Sequence, residues 1–228
     1  MNIRLNKYLV EAGICSRREA DRLIESGQIR VNNRLAVLGE KVNGDENIEV
    51  RGKIVSKPRN ERVYIAYNKP VGIICTSDPK AKDNIINAIH YPERIFHIGR
   101  LDVASSGLIL LTNDGAIVNA ILRAEEGHEK EYEVFLDKPV TDDFLQKMST
   151  GVMIDGRKTL PTKTKKVGVR TFSITLIEGR NRQIRKMCEA LDYKVEALQR
   201  VRIMHIQLGS LPTGQWRHLT KEEEQGLR

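Results

Sequence analysis

The sequence is poor in the residues that staple small secreted domains or cage metals. Its three cysteines, Cys15, Cys75 and Cys188, are odd in number, far apart and form no C-x-x-C pair. That spacing speaks against a disulfide framework and against a thiolate zinc site. Five histidines include no H-x-x-x-H pair and read as structural or surface residues, so no metal site is expected. No apolar run approaches the roughly 20 residues that span a bilayer. The opening MNIRLNKYLVEAG lacks the apolar centre of a signal peptide. The expectation is a soluble, cytoplasmic protein with no membrane partner. Neither G-x-x-x-x-G-K-[ST] nor G-x-G-x-x-G occurs, which argues against a nucleotide-dependent enzyme. With 17 Gly and 7 Pro, collagen-like and low-complexity chains are excluded.

What is present is 228 residues, 40% of them hydrophobic and spread in short periodic runs, which supports a packed core and excludes general disorder. That length allows one large domain or a small one joined to a medium one. Lys and Arg exceed Asp and Glu by 38 − 30, a net charge of +8, which makes a polyanionic partner plausible.

Residues 1–60 carry half of that excess, 12 − 8 = +4, in about a quarter of the length. Leu5, Tyr8 and Leu9 recur at helical spacing and Gly13 ends the run. Ser16 then precedes RREADRLIESG with Glu19 three residues on, the pattern of a capping box. Ala20, Leu23 and Ile24 form the apolar stripe of this second helix, which Gly27 ends. Two short strand units follow, with turn chemistry at Asn32-Asn33 and Asn43-Gly44. Arg4 and Lys7 fall on one helical face, Arg17, Arg18 and Arg22 at the start and flank of the next helix. Arg30 and Arg34 lie beside the turn. Several guanidinium forks could thus face one phosphate-bearing groove; a merely solvated helix face is the plainer alternative. The run RLNKYLVEAGICSRREADRLIESGQIRVNN resembles the S4 RNA-binding module. That resemblance implies contact with structured RNA through shape and phosphates rather than base edges.

The polar stretch from Ser56 to Arg62 reads as a linker, which puts a boundary near residue 60. Beyond it strands predominate: VYIAY, GIIC after a turn at Asn68-Lys69-Pro70, GLILLT, KEYEVFL, TFSITLIE and YKVEALQ. Helices are expected at AIVNAILRA and RNRQIRKMCEAL. Irregularly inserted helices argue for an α+β fold with a mixed, largely antiparallel sheet rather than a doubly wound parallel one.

Four stretches in this block draw attention. In HIGRLDVASSGLILLTNDG, Asp102 stands in a small polar turn before an apolar strand, where a carboxylate is both fixed and reachable. In EGRNRQIRKMCEAL, Arg180, Arg182, Arg185 and Lys186 crowd a helix start, against the helix dipole. In HEKEYEVFL, Tyr132 sits on a strand among charges, and in NKPVGIIC, Pro70 and Gly72 fix a turn beside Lys69. Taken singly, each has a plain reading: a turn aspartate, a solvated basic helix end, a core tyrosine, a tight turn.

Together and in this order, GRLD, GLILLTNDG, KEY, NRQIRKMCEAL and RVRIMHIQLGSLPTGQWRHLT resemble the RsuA-type pseudouridine synthases that carry an amino-terminal S4 module. Within that branch the resemblance is to the large-subunit ribosomal RNA F type, whose enzymes also act on a tRNA anticodon loop. The resemblance implies an S4 domain over residues 1–60 and a catalytic domain over 61–228. It implies Asp102 as the essential aspartate, Tyr132 as the ring packed against the target base, and Arg185 as the arginine paired with the aspartate. Arg100 would touch RNA from the aspartate's loop, and Lys69 and Pro70 would border the cleft, with Lys69 meeting RNA. Apart from the resemblance, Arg180 and Arg182, crowded against the dipole, point to an anionic partner, either an RNA backbone or a buried carboxylate, and are read as RNA contacts. Val103 and Ala104 are apolar where charged residues often stand in the family. The partners implied are large-subunit ribosomal RNA and a tRNA, bound by a monomer.

The implied reaction detaches uracil from C1′ and rejoins it through C5. Nothing is oxidised or added, so no cofactor is expected. The target nucleotide must leave its stack. An ionised Asp102 attacks C1′ or removes a proton from C2′; the sequence does not distinguish these routes. An opposite charge within about 4–6 Å would keep the carboxylate ionised, and an aromatic face would hold the free base. The opposing reading is a non-catalytic ribosome-assembly factor on the same fold. It fits less well, because a chain that had lost the chemistry would be expected to have lost Asp102, Tyr132 or Arg185.

Overall fold

The computed structural model describes residues 2–55, 61–78, 80–122 and 127–227. The chain divides into two compact units, Met1–Arg62 and Val63–Arg228. Of the expected linker, residues 56–60 lie outside the described residues, as do the last two residues of the helix expected over 116–124.

In the first unit, strand β1 (Ile3–Arg4) runs into helix α1 (Leu5–Glu11), followed by α2 (Arg17–Glu25), β2 (Ile29–Val31), β3 (Arg34–Leu35), β4 (Lys41–Val42), β5 (Ile48–Val50) and β6 (Lys53–Ile54). The apolar stripes close on each other: Leu5, Tyr8 and Leu9 of α1 share one core with Ala20, Leu23 and Ile24 of α2 and with Ile29 and Ile48 of the strands. Ser16 caps α2 by accepting the Glu19 N–H at 3.2 Å. The capping box is left half made, because the Glu19 carboxylate turns to Arg22 at 2.8 Å. Asn32 and Asn33 both take positive φ, 49° and 66°, as a two-residue hairpin turn requires. Asn43-Gly44 does not make the expected hairpin. The flanking strands belong to different sheets, β4 with β1 and β5 with β2 and β6, and the Glu46 carboxylate gathers the N–H groups of Asn43 and Gly44.

The second unit is built on strands β7 (Tyr64–Lys69), β8 (Phe96–Ile98), β9 (Ser106–Thr112), β10 (Lys130–Leu136), β11 (Met153–Ile154), β12 (Arg157–Lys158), β13 (Lys163–Lys166), β14 (Thr171–Leu176), β15 (Val195–Ile203), β16 (Ile206–Gln207) and β17 (Trp216–His218). Between them lie helices α3 (Ile85–Ile89), α4 (Gly115–Leu122), α5 (Asp142–Thr150) and α6 (Gln183–Glu189), and α7 (Lys221–Gln225) follows β17. The main sheet has the order β13-β14-β10-β15-β9-β7-β17, with β16 on β15 and β8 on β9. The β15·β9 pair is parallel and the other pairs of this sheet are antiparallel, so the sheet is mixed and largely antiparallel in an α+β fold. GIIC forms no strand; Ile74 makes an isolated bridge to Asn84.

Alternation separates the two faces of the sheet. Tyr64, Ala66, Leu108 and Leu110 join one core with Ile117 of α4 and Ile203. Ile65, Tyr67, Ile109 and Leu111 join another with Ile85 and Ile89 of α3. A third core packs Phe144 and Met148 of α5 and Ile184 and Met187 of α6 against β10 and β14. Tyr132 packs against both the second and the third of these cores.

Candidate active site

Strand register builds the site. On β10·β15 Tyr132 faces Arg200, on β15·β9 Arg200 faces Gly107, and on β9·β7 Gly107 faces Lys69. One row across four central strands thus carries Tyr132, Arg200, Gly107 and Lys69. The glycine is obligatory in this row. Its φ is +103°, and a Cβ there would lie 2.6 Å from the Arg200 nitrogen and closer still to the Arg200 carbonyl oxygen. L side chains rarely adopt such a φ, so the Ser-Ser-Gly step before LILL lets β9 approach β15.

The turn that leads into this row holds Asp102. The Asp102 carbonyl accepts from Ser105 N–H at 3.0 Å, and Val103 carbonyl accepts from Gly72 N–H at 2.8 Å, which ties the loop to the Pro70 turn. Leu101 N–H donates to Cys75 Sγ at 3.3 Å. Asp102 is half-buried and lines a cavity of about 530 Å³ together with Tyr132, Arg100, Arg180, Arg182 and Arg200. That volume lies within the range of small-ligand sites.

Arg185 on α6 does not meet the Asp102 carboxylate as the sequence suggested. Its two terminal nitrogens donate to main-chain carbonyls, to Val195 at 3.0 Å and to Ala104 at 2.9 Å. The planar fork therefore clips the aspartate's loop to the start of β15. Burial lowers the Arg185 pKa from its usual value, Arg182 adds to this, and the negative Asp102 opposes it.

Lys69, expected at the RNA surface, is wholly buried at 0% exposure. Its Nζ donates to the carbonyls of Pro70 and Ile73 at 2.8 and 2.9 Å, so it holds the turn from inside and has no path to a phosphate. Burial lowers its pKa, with Arg200 acting in the same direction and Cys75 and Asp102 opposing.

The basic cluster at the start of α6 is largely absorbed within the fold. Arg180 donates to the carbonyls of Ile154 and Arg157 at 2.7 and 3.1 Å, bracing the β11–β12 hairpin. Lys186 pairs with Asp155 at 2.6 Å. Arg182 is the exposed member, in the left-handed conformation at the helix start with φ 52°. Arg100 is exposed as well and also lines the cavity. In the first unit Arg4, Arg17 and Arg18 are exposed; Lys7 pairs with Glu11 at 3.6 Å and Arg22 with Glu19 at 2.8 Å. Arg30 donates to the Asn33 carbonyl at 2.8 Å.

Sequence reasoning gave no role to Arg200, although it opens the RVRIM stretch. It is 3% exposed, its Nε donates to the Leu108 carbonyl at 2.7 Å, and its guanidinium lies 6.0 Å from the Tyr132 ring centroid.

The profile of RNA pseudouridylate synthases matches residues 63–190, and that of the S4 domain matches residues 3–48. The chain belongs to the RNA pseudouridylate synthase family. It is 49% identical over 224 residues to the dual-specificity RNA pseudouridine synthase RluF of Escherichia coli, covering 97% of this chain and 77% of that protein. With the ribosomal large subunit pseudouridine synthase B of Bacillus subtilis it shares 37% identity over 234 residues, covering 99% and 95%. A solved pseudouridylate synthase structure superposes with a TM-score of 0.72 at 29% identity, covering 99% of this chain and all of the other. The α+β reading and the S4-plus-synthase reading both agree with these matches.

Proposed function

We propose that this pseudouridine synthase isomerises a uridine of large-subunit ribosomal RNA in the cytoplasm, acts as a monomer, and takes a tRNA anticodon loop as a second substrate. Residues 1–60 serve as an S4 RNA-binding domain and residues 61–228 as the catalytic domain. The names of the similar proteins, one dual in specificity and one of the large subunit, support the substrate and favour catalysis over a purely binding role.

The observation that carries the site assignment is that Asp102 and Tyr132 line one cavity while Arg185 grips the carbonyl two residues beyond Asp102. In this reading the Asp102 carboxylate acts at the sugar, attacking C1′ or taking the C2′ proton. The Tyr132 ring stacks on the uracil while it is detached. Arg185 acts through the loop and through its positive field. Arg100 and Arg182 on the lips of the cavity take phosphates beside the flipped nucleotide, with Arg180 bracing that edge. In the S4 unit the exposed Arg4, Arg17 and Arg18 form the phosphate-binding surface, joined by Lys7, Arg22 and Arg30 when RNA competes with their present partners.

The test is Asp102→Asn in the full chain, with tritium release from large-subunit ribosomal RNA carrying 5-tritiated uridine. Turnover should vanish while RNA affinity and the unfolding midpoint stay near wild type. Substantial tritium release by the variant would refute the role given to Asp102.

A further inference from the structure

Among the described residues, buried polar side-chain atoms without a hydrogen-bond partner belong to Asn68, Ser105, Arg185 and Arg200. Such atoms are uncommon, and each calls for an explanation. Ser105 lies in the Asp102 turn and Arg185 is bonded to it, so both belong to the framework already described. Arg200 is different. Its Nε is used, but its Nη2 is enclosed and has no acceptor, in a side chain that lines the cavity beside Tyr132.

We propose that the Arg200 guanidinium donates to a carbonyl oxygen of the detached uracil and stabilises that base as an anion between bond breaking and bond making. This rests on the assignment of the Asp102–Tyr132 cavity as the active site.

The chemistry requires such a group. When C1′–N1 breaks, the bonding pair stays with the base, which leaves as a uracil anion with charge on N1 and its two carbonyl oxygens. C1′ gains a bond to an Asp102 oxygen, or C2′ gives its proton to that oxygen. After the base turns, C5 bonds to C1′ while the carboxylate leaves or returns the C2′ proton. The C5 proton is lost and N1 gains one, so the product is an isomer. Asp102, itself negative, cannot neutralise the leaving anion. A fixed cation in a water-poor pocket can, because it needs no reorganisation when the charge develops.

The geometry selects Arg200 among the nearby cations. Lys69 Nζ is committed to two carbonyls. Lys130 Nζ reaches the His128 carbonyl at 3.3 Å and stands two positions before Tyr132, so it is offset from the row. Arg200 is the direct cross-strand neighbour of Tyr132, and a base lying on that ring has its carbonyl edge in reach of the guanidinium. At 3% exposure, Arg200 is enclosed too deeply for the RNA backbone, so the partner must be the extruded base. Burial lowers the pKa values of Lys69 and Lys130, and Arg200 adds to this at both, while Cys75 and Asp102 oppose it at Lys69.

The experiment uses the full chain in single-turnover tritium release from ribosomal RNA transcripts, with RNA affinity and the unfolding midpoint measured on the same samples. Arg200→Met should slow the bound-state rate by about 100-fold, with affinity within threefold of wild type and the protein folded at the assay temperature. Arg200→Lys should recover about tenfold of that loss, and Arg200→Gln, a neutral donor, clearly less. A bound-state rate within threefold in Arg200→Met, or a loss confined to affinity, would overturn the proposal. If Arg200→Met fails to fold, the Lys and Gln variants decide: equal rates at matched folded fraction overturn it. Asp102→Asn runs in parallel. Turnover by that variant sinks the site assignment itself, whereas an inactive Asp102→Asn beside an active Arg200→Met sinks the Arg200 role alone.

Discussion

Gly107→Ala should lower stability and turnover together, for one geometric reason. The new Cβ would stand 2.6 Å from the Arg200 nitrogen and nearer still to its carbonyl oxygen, where ordinary contact needs roughly 3.5 Å, so β9 and β15 must part by at least roughly 0.9 Å. An L side chain at φ +103° adds backbone strain of about 1–3 kcal/mol. Overpacking of this kind costs about 1–3 kcal/mol more. The sum, about 2–6 kcal/mol, corresponds to a fall in Tm of roughly 5–20 °C for a unit of this size. The same displacement moves the Asp102 turn away from Tyr132, and misplacement near 1 Å slows an oriented reaction by about 100-fold. Gly151→Ala is the control. At φ +89° its Cβ would strike the Thr159 carbonyl oxygen, an equivalent clash at the corner between α5 and β11. It should lose similar stability while its single-turnover rate stays within threefold of wild type. Thermal unfolding and tritium release at a temperature where all variants are folded provide the comparison. A Gly107→Ala protein with wild-type midpoint and rate, or a Gly151→Ala protein equally slowed, would refute the reasoning.

Arg185→Met should cost about 1–3 kcal/mol by uncapping the Ala104 and Val195 carbonyls and slow turnover by about 100-fold through a freed loop. Arg185→Lys should recover little, because an ammonium lacks the planar fork; urea unfolding and single-turnover rates check both, and near-wild-type rates would show that the loop needs no clip. His97 is half-buried, with Nδ1 2.7 Å from the Gly99 carbonyl oxygen. Burial lowers its pKa from the usual 6.5 and Arg100 adds to this, against the Gly99 hydrogen bond. Just below pH 6.5 the unfolded chain therefore binds the proton first, so stability is fullest above that pH and is lost as pH falls toward the folded-state value. Urea unfolding at pH 7.5 and 5.5 should show a larger loss for wild type than for His97→Gln; equal losses would discount the histidine.

The elements most legible in the sequence were those whose periodicity and punctuation act locally. KEYEVFL forms β10 over Lys130–Leu136 with its ends as expected, and the Asn32-Asn33 hairpin follows from two residues that tolerate positive φ. What misled was chemistry with two outlets. Glu19 could close a capping box or pair with Arg22, and the ion pair won; Asn43-Gly44 could turn a hairpin, but its flanking strands had partners elsewhere. Helix α5, capped by Thr141, and α7, with a full capping box at Thr220 and Glu223, carried readable signals that went unused. The basic cluster around α6 was legible as charge but not as purpose. Its acceptors are main-chain carbonyls and Asp155 from other elements, and no local pattern announces a carbonyl.

Arg200 and Lys69 were illegible for a deeper reason. A lysine after Asn68 and an arginine before Val201 read as surface charges, because isolated cations are seldom fully buried. Burial here comes from register: each faces Gly107 across a strand pair, and Gly107 is the position in the row with no side chain. A slip of one residue in either pairing would turn the charge to the opposite face of the sheet, among Leu108, Leu110 and Ile203. There it would have neither the Pro70 and Ile73 carbonyls nor the cavity. The penalty for such a slip is therefore unusually large, since an unpaired buried cation costs far more than a misplaced leucine. The same two buried cations, one beside the cavity and one beneath the Pro70 turn, thus also help to fix the pairing that builds the site.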